Sequence, residues 1–278
     1  SSAASDVYKR QARYKARLLQ GDSLTDLTGG FGIDCSFLAT GFKSATYVER
    51  QEELCEIAAH NFPVLNLNHI NIKNEDGVTY LQVMSPVDSL FLDPARRNEH
   101  GGKTVAISDC EPNVAELEEL LLQKANRVMI KLSPMLDLSL ALKELKQTQE
   151  VHILSVNNEC KELLILLGQT SPAEISIHCV NLFTKGTQKE QHFVFTREQE
   201  QCSECTYTDS LETYLYEPNA SLLKAGAFRS IAAAYPVRKL HPNSHLYTSD
   251  TFIENFPGRI FRIVNQCSCL LYTSDAAD

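Results

Sequence analysis

The chain has 278 residues, 43% of them hydrophobic and 22% charged, with 26 Lys+Arg against 35 Asp+Glu and a formal net charge of −9 at pH 7. That length exceeds the roughly 100–150 residues of one ordinary domain and supplies ample apolar material for a core. The acidic balance excludes a non-specific grip on phosphates, which needs surplus Lys and Arg, but leaves open a nucleic-acid substrate docked by a module elsewhere.

In chain order, the first stretch is "SSAASDVYKRQ". It and the last ten residues, "CLLYTSDAAD", can be encoded by one nucleotide string and its reverse complement, as translated sequencing adapter would be. Residues 1–11 and 269–278 are therefore set aside from fold reasoning and expected to pack poorly. The native part is then 12–268, with the gene expected to continue in both directions. Strands are predicted at 23–28, 45–49, 70–75, 88–93, 127–132, 151–156, 174–182 and 191–198, and helices at 33–41, 51–60, 113–124, 136–146 and 159–167. This alternation predicts a parallel α/β sheet. Asn113, three residues before Glu116, predicts the cap of the helix that follows it. Past residue 202 the pattern changes to one helix (220–234) among short strands, with acidic and basic residues in balance, so a small α+β module is expected over 203–268. Apart from Cys269, the cysteines are scattered through apolar segments, which predicts free thiols and a reducing, cytoplasmic setting. "CSEC", Cys202 and Cys205, is a lone CxxC; no metal is expected, and no apolar run suggests a membrane span.

The stretch "LTDLTGGFGIDCSFLATGF" (24–42) runs a strand into a glycine turn and then a helix. Glycines suit a backbone that passes close to a ligand or takes positive φ. A triphosphate loop would need GxxxxGK[ST], which is missing. A dinucleotide turn would need a third glycine where Cys35 stands, and Asp34 would set a negative charge where a pyrophosphate belongs. A cofactor with a cationic sulfonium and ammonium is instead attracted by carboxylates. Asp26 suits an ammonium, Glu49 a ribose diol, through its two acceptor oxygens, and Asp76 an adenine amino group. Asp93 ends the fourth strand in "FLDPARR", beside the place of a transferring methyl, with Arg96 and Arg97 directed to an anionic substrate. Lys131, at the end of the fifth strand, is a candidate substrate contact or a snorkelling lysine.

Taken together, "DLTGGFGID", the "VER" of Glu49 and Arg50, "NEDG" and "FLDPARR" resemble the successive motifs of class I S-adenosylmethionine-dependent methyltransferases. With "EPNASLLKAGAF", "KLHPNSHLYTS" and "FPGRIF", the chain resembles a bacterial group assigned to RNA methylation that adds ferredoxin-like and THUMP-like domains. The resemblance implies a Rossmann-like seven-stranded methyltransferase sheet over 12–202, its last strand antiparallel, then a ferredoxin-like domain over 203–268. It implies S-adenosyl-L-methionine held by Asp26, Thr28, Gly30, Gly32, Glu49, Asp76 and Asp93. Asp93 would be catalytic, Pro94, Arg96, Arg97 and Lys131 would meet substrate, and RNA would be the partner. Asp93-Pro94-Ala95-Arg96 departs from the Pro-Pro-aromatic pattern of amine methylases, so methylation of a base amine is not implied. Nor is the cysteine pair of cytosine-C5 methylation present; Cys110 predicts a buried thiol. A small-molecule methyltransferase and a non-catalytic RNA-binding module remain as alternatives.

Overall fold

The computed structural model describes residues 2–97 and 106–267. Its larger sheet contains β1 (Ser23–Asp26), β2 (Ser44–Val48), β3 (Ile70–Lys73), β4 (Val87–Leu92), β5 (Ala125–Leu132), β6 (Thr148–Val156), β7 (Glu159–Gly168), β8 (Ser176–Leu182) and β9 (Glu190–Phe195). Their order in space is β9-β8-β6-β7-β5-β4-β1-β2-β3. Strands β1 to β5 pair in parallel, and β7 lies antiparallel between β5 and β6. The expected seven strands are therefore present as β1–β7. Beyond them, β8 adds in parallel to β6 and β9 antiparallel to β8, giving nine.

One predicted element changes type. Residues 159–167 were expected to be a helix and instead form β7, joined to β6 by a tight turn at Asn157 and Asn158, with φ of 49° and 62°. Two successive left-handed residues make the hairpin turn whose twist suits antiparallel strands, and asparagine tolerates it. Leucine favours helices and the run has no clean period of two. Its position explains why: Leu163 to Leu167 are all fully buried, as in a strand covered on both faces.

Helices α1 (Ser2–Ala16), α2 (Ile33–Leu38), α3 (Glu52–Val64), α4 (Gly77–Val83), α5 (Val114–Lys124), α6 (Leu138–Glu144) and α7 (Arg197–Cys202) accompany the sheet. Asn113 caps α5 as predicted, its side chain accepting the Ala115 amide hydrogen at 3.2 Å. Residues 1–11, expected to pack poorly, lie within or just before α1. Residues 3–6 and 8–9 are exposed, but Val7 packs against the core and Gln11 is buried. The helix continues into Ala12, Tyr14 and Lys15, which anchor it and extend the helical register backward. Residues 269–278 lie outside the described residues.

A second sheet is built from β10 (Tyr214–Pro218), β11 (Arg238–Lys239), β12 (Tyr247–Ser249) and β13 (Gly258–Arg262), in the antiparallel order β11-β12-β10-β13. The helix predicted over 220–234 is two, α8 (Ala220–Ala225) and α9 (Phe228–Ala234), divided at Gly226, whose φ of 74° ends α8. Ser221 ties this module to the large sheet, bonding the Ser155 hydroxyl at 2.6 Å and donating to the Val180 carbonyl at 2.8 Å. Glu200 accepts three amide hydrogens, from Phe228, Arg229 and Ser230, at the start of α9, where a carboxylate complements the helix dipole. Within "KLHPNSH", the buried Lys239 ammonium donates to the carbonyls of His241 and Pro242 at 2.8 Å each and to that of Ser244, which gives this motif a structural role. The described cysteines are free, and no described helix is long and apolar enough to cross a membrane.

Candidate active site

The carboxyl ends of β1, β2, β3 and β4 open into one cleft of about 640 Å³. Thr28, Gly30, Glu49, Asp76, Asp93, Arg96 and Arg97 line it, so seven of the predicted site residues converge. Asp26, Gly32, Pro94 and Lys131 stand outside that lining.

The glycine turn explains part of the convergence. Gly30 has φ 54° and Gly32 φ 76°, both in the left-handed region that favours glycine. Gly32 serves packing, since a Cβ there would press against the Phe62 ring at 3.0 Å. Glu49 then fixes the turn: its Oε2 accepts from the Gly30 amide at 2.8 Å and its Oε1 from the Gln51 amide at 2.9 Å. Each oxygen retains a second lone pair. The Tyr47 hydroxyl donates to the Gly30 carbonyl from below. Asp76 caps α4 by accepting from the Thr79 amide at 3.0 Å and from its hydroxyl at 3.2 Å. Its neighbour Gly77 could hold no side chain, because a Cβ would lie 2.2 Å from the Leu27 carbonyl oxygen.

Thr28 joins two strand ends. Its amide donates to Asp26 Oδ1 at 2.9 Å, and its hydroxyl accepts from the Asp93 amide at 2.7 Å. Asp26 is almost wholly enclosed, 1% exposed, and burial pushes its pKa up to about 8 despite the Thr28 amide. The Pro94 ring is buried and supports the turn after β4, while Arg96 and Arg97 are exposed. Burial raises the Cys110 thiol pKa, which fits the predicted inert thiol and not a nucleophile.

A line of alternating charge runs from Asp93 in the cleft wall inward to the buried Lys15 and Glu162. Lys131 lies 2.7 Å from Asp93 Oδ2 and 3.1 Å from Asp34 Oδ2; Lys15 lies 2.7 Å from Asp34 Oδ1 and donates to Glu162 Oε2 at 3.1 Å. Burial works to lower the Lys131 pKa, but Asp93 and Asp34 outweigh it and hold that ammonium above the usual lysine value. Burial likewise works to raise Asp34, and Lys15 and Lys131 hold it below the usual aspartate value. The negative charge ascribed to Asp34 from the sequence is thus neutralised by two lysines, so the exclusion of a dinucleotide rests on the missing third glycine. Lys15 and Glu162 carried no motif and were not singled out. A lysine within an otherwise amphipathic helix and a glutamate opening the apolar run "LLILLG" were the available signals.

The lining balances Glu49, Asp76, Asp93, Glu111 and Glu116 against Arg50, Arg96 and Arg97. An acidic cleft with glycine backbone on one wall and carboxylates on two others fits a cofactor that carries cationic groups and a ribose, and fits a polyphosphate poorly.

A ferredoxin-like domain family matches residues 214–257. A solved structure of a candidate methyltransferase from Porphyromonas gingivalis W83 is 38% identical, covers 92% of this chain and superposes with a TM-score of 0.83. The chain spans 64% of that protein's length. An rRNA methylase from Streptococcus thermophilus is 15% identical over 58% of this chain and 93% of its own, with a TM-score of 0.40. A candidate methyltransferase from Streptococcus mutans, solved with SAH, is 14% identical over 60% of this chain and 97% of its own, with a TM-score of 0.39. No curated protein matches the sequence. The sheet order is that of a Rossmann-like methyltransferase sheet, the identity with the Porphyromonas gingivalis protein runs across nearly the whole chain, and the second module matches a ferredoxin-like domain.

Proposed function

We propose that the chain forms the catalytic part of an S-adenosylmethionine-dependent methyltransferase that acts on RNA in the cytoplasm. One observation carries the reading: Glu49, Asp76 and Asp93, from the ends of three strands, line a single cleft with the Gly30 backbone. When bound, the cofactor supplies a methyl group on a sulfonium, an already activated donor. Glu49 would hold the ribose diol with its remaining lone pairs and Asp76 the adenine amino group. Asp26, enclosed beneath the turn and holding the Thr28 amide, would act on the methionine end of the cofactor through Thr28 and its field and not by direct contact. Asp93 keeps Oδ2 on Lys131, and its Oδ1 has no partner among the described residues, so that oxygen is available to orient a nucleophile or take its proton. Most of the acceleration would come from holding the two reactants in line in a site shielded from water.

RNA as substrate is supported by the resemblance and by exposed Arg96 and Arg97 at the cleft mouth. The acidic lining also favours a small-molecule acceptor, so the two are tested together. Tritium from labelled cofactor should enter bulk RNA in a reaction abolished by Asp93→Asn. Incorporation into a small-molecule extract and none into RNA would replace the substrate; incorporation into neither would reject the enzyme reading.

A further inference from the structure

On the other half of the sheet, β6, β8 and β9 bring three imidazoles onto one face. His152 and His178 are directly paired in the ladder and their rings stack at 4.1 Å; His178 Nδ1 lies 2.9 Å from His192 Nε2. Glu150 Oε2 is 3.2 Å from His152 Nε2. These groups line a second cleft of about 610 Å³ that shares no residue with the first. Among the described residues, one group of metal-ligating side chains brings three donor atoms within 4.8 Å of one another: Glu150, His152 and His178. We infer that this trio binds a first-row divalent cation of the zinc type, with water completing the coordination, at a site separate from the candidate active site.

The donor set suits such an ion, since imidazole nitrogen with one carboxylate oxygen is characteristic of zinc and its neighbours and not of magnesium or calcium. Donors on a tetrahedral ion at about 2.0–2.2 Å stand closer than 4.8 Å, so modest rotation of side chains on a rigid sheet closes the site. The surrounding groups are those that support ligating histidines. The Tyr14 hydroxyl lies 2.6 Å from His152 Nδ1 and can either donate to that nitrogen or accept from it. Without metal, His152 Nε2–H donates to Glu150 and Tyr14 donates to Nδ1. With metal on Nε2, the proton sits on Nδ1 and Tyr14 accepts it, so the ring exchanges tautomers without moving. His192 holds the His178 ring in place. The nearby cations are already matched, Arg127 to Glu150 at 2.9 Å and Arg17 to Glu190 at 2.9 Å, which leaves the second Glu150 oxygen for the ion. An ion here would fasten α1, through Tyr14, to the two added edge strands. This departs from the expectation that no metal is bound.

Calorimetric titration of zinc chloride into the chelator-treated 278-residue chain tests it. One ion per chain should bind, and Co2+ in its place should give visible absorption bands of a low-coordinate nitrogen and oxygen site. His178→Ala and Glu150→Gln should each weaken binding about tenfold or more, while Cys202→Ser/Cys205→Ser should leave it intact. If His178→Ala does not fold, the isosteric Glu150→Gln carries the test. Absence of one-to-one binding, loss of binding in the cysteine double variant, or unchanged binding in a folded His178→Ala or Glu150→Gln would overturn the inference.

Discussion

The Lys131 ammonium sits 2.7 Å from Asp93 Oδ2 and 3.1 Å from Asp34 Oδ2, so one lysine joins the end of β5 to the end of β4 and to the first turn of α2. Its charge is needed there because Asp26, Asp34 and Asp93 crowd the same end of the sheet. Lys131→Met should therefore reduce methyl transfer by an amount on the order of tenfold or more, since it leaves Asp93 without its fixed partner. Affinity for S-adenosylhomocysteine should change less than activity. Steady-state rates and calorimetry on the same preparation separate the two effects.

Asp26 gives a pH signature. Its pKa is pushed from the ordinary aspartate value up to about 8 by burial, so between pH 4 and 8 the folded chain holds a proton that the unfolded chain has released. Stability falls with pH wherever the folded state binds more protons. This contribution is thus complete at low pH and lost as pH rises through about 8. Asp26→Asn removes it, and urea unfolding at pH 5.5 and 8.5 should show the variant gaining relative to wild type at the higher pH.

Lys15 and Glu162 form a buried pair, with side chains only 3% and 4% exposed. The second Glu162 oxygen lies 3.0 Å from the same ammonium but makes no hydrogen bond. Lys15→Met leaves Glu162 and one side of Asp34 uncompensated in the interior, which should cost about 3–5 kcal/mol. Chemical denaturation measures this directly. A double variant, Lys15→Met/Glu162→Leu, should recover part of the loss.

Gly77→Ala places a methyl 2.2 Å from the Leu27 carbonyl oxygen, and backbone must move to admit it. The expected cost is about 1–3 kcal/mol. Because Leu27 and Asp76 both line the cleft, S-adenosylhomocysteine affinity should fall as well.

The ends of β1 to β4 were legible because each of these runs leads into an acid, and in a parallel sheet those acids share one edge. Glu49, Asp76 and Asp93 converge for that reason. The seventh strand was illegible: burial on both faces erased the alternation in "LLILLG", and only the Asn157-Asn158 turn marked the hairpin. The Gly226 break was readable in principle but was hidden by strong helix formers on either side. Lys15, Glu162 and the histidine trio depend on pairings between distant segments, 147 positions apart for Lys15 and Glu162, that local sequence does not encode.

The central claim is that the cleft at the ends of β1 to β4 holds S-adenosylmethionine through Glu49. Calorimetric titration of S-adenosylhomocysteine into wild type and Glu49→Ala tests it most directly. One site per chain is expected, weakened about tenfold or more in the variant because the ribose loses its acceptor and Gly30 loses its anchor. No binding by the wild type, or equal affinity in the two proteins, would contradict it.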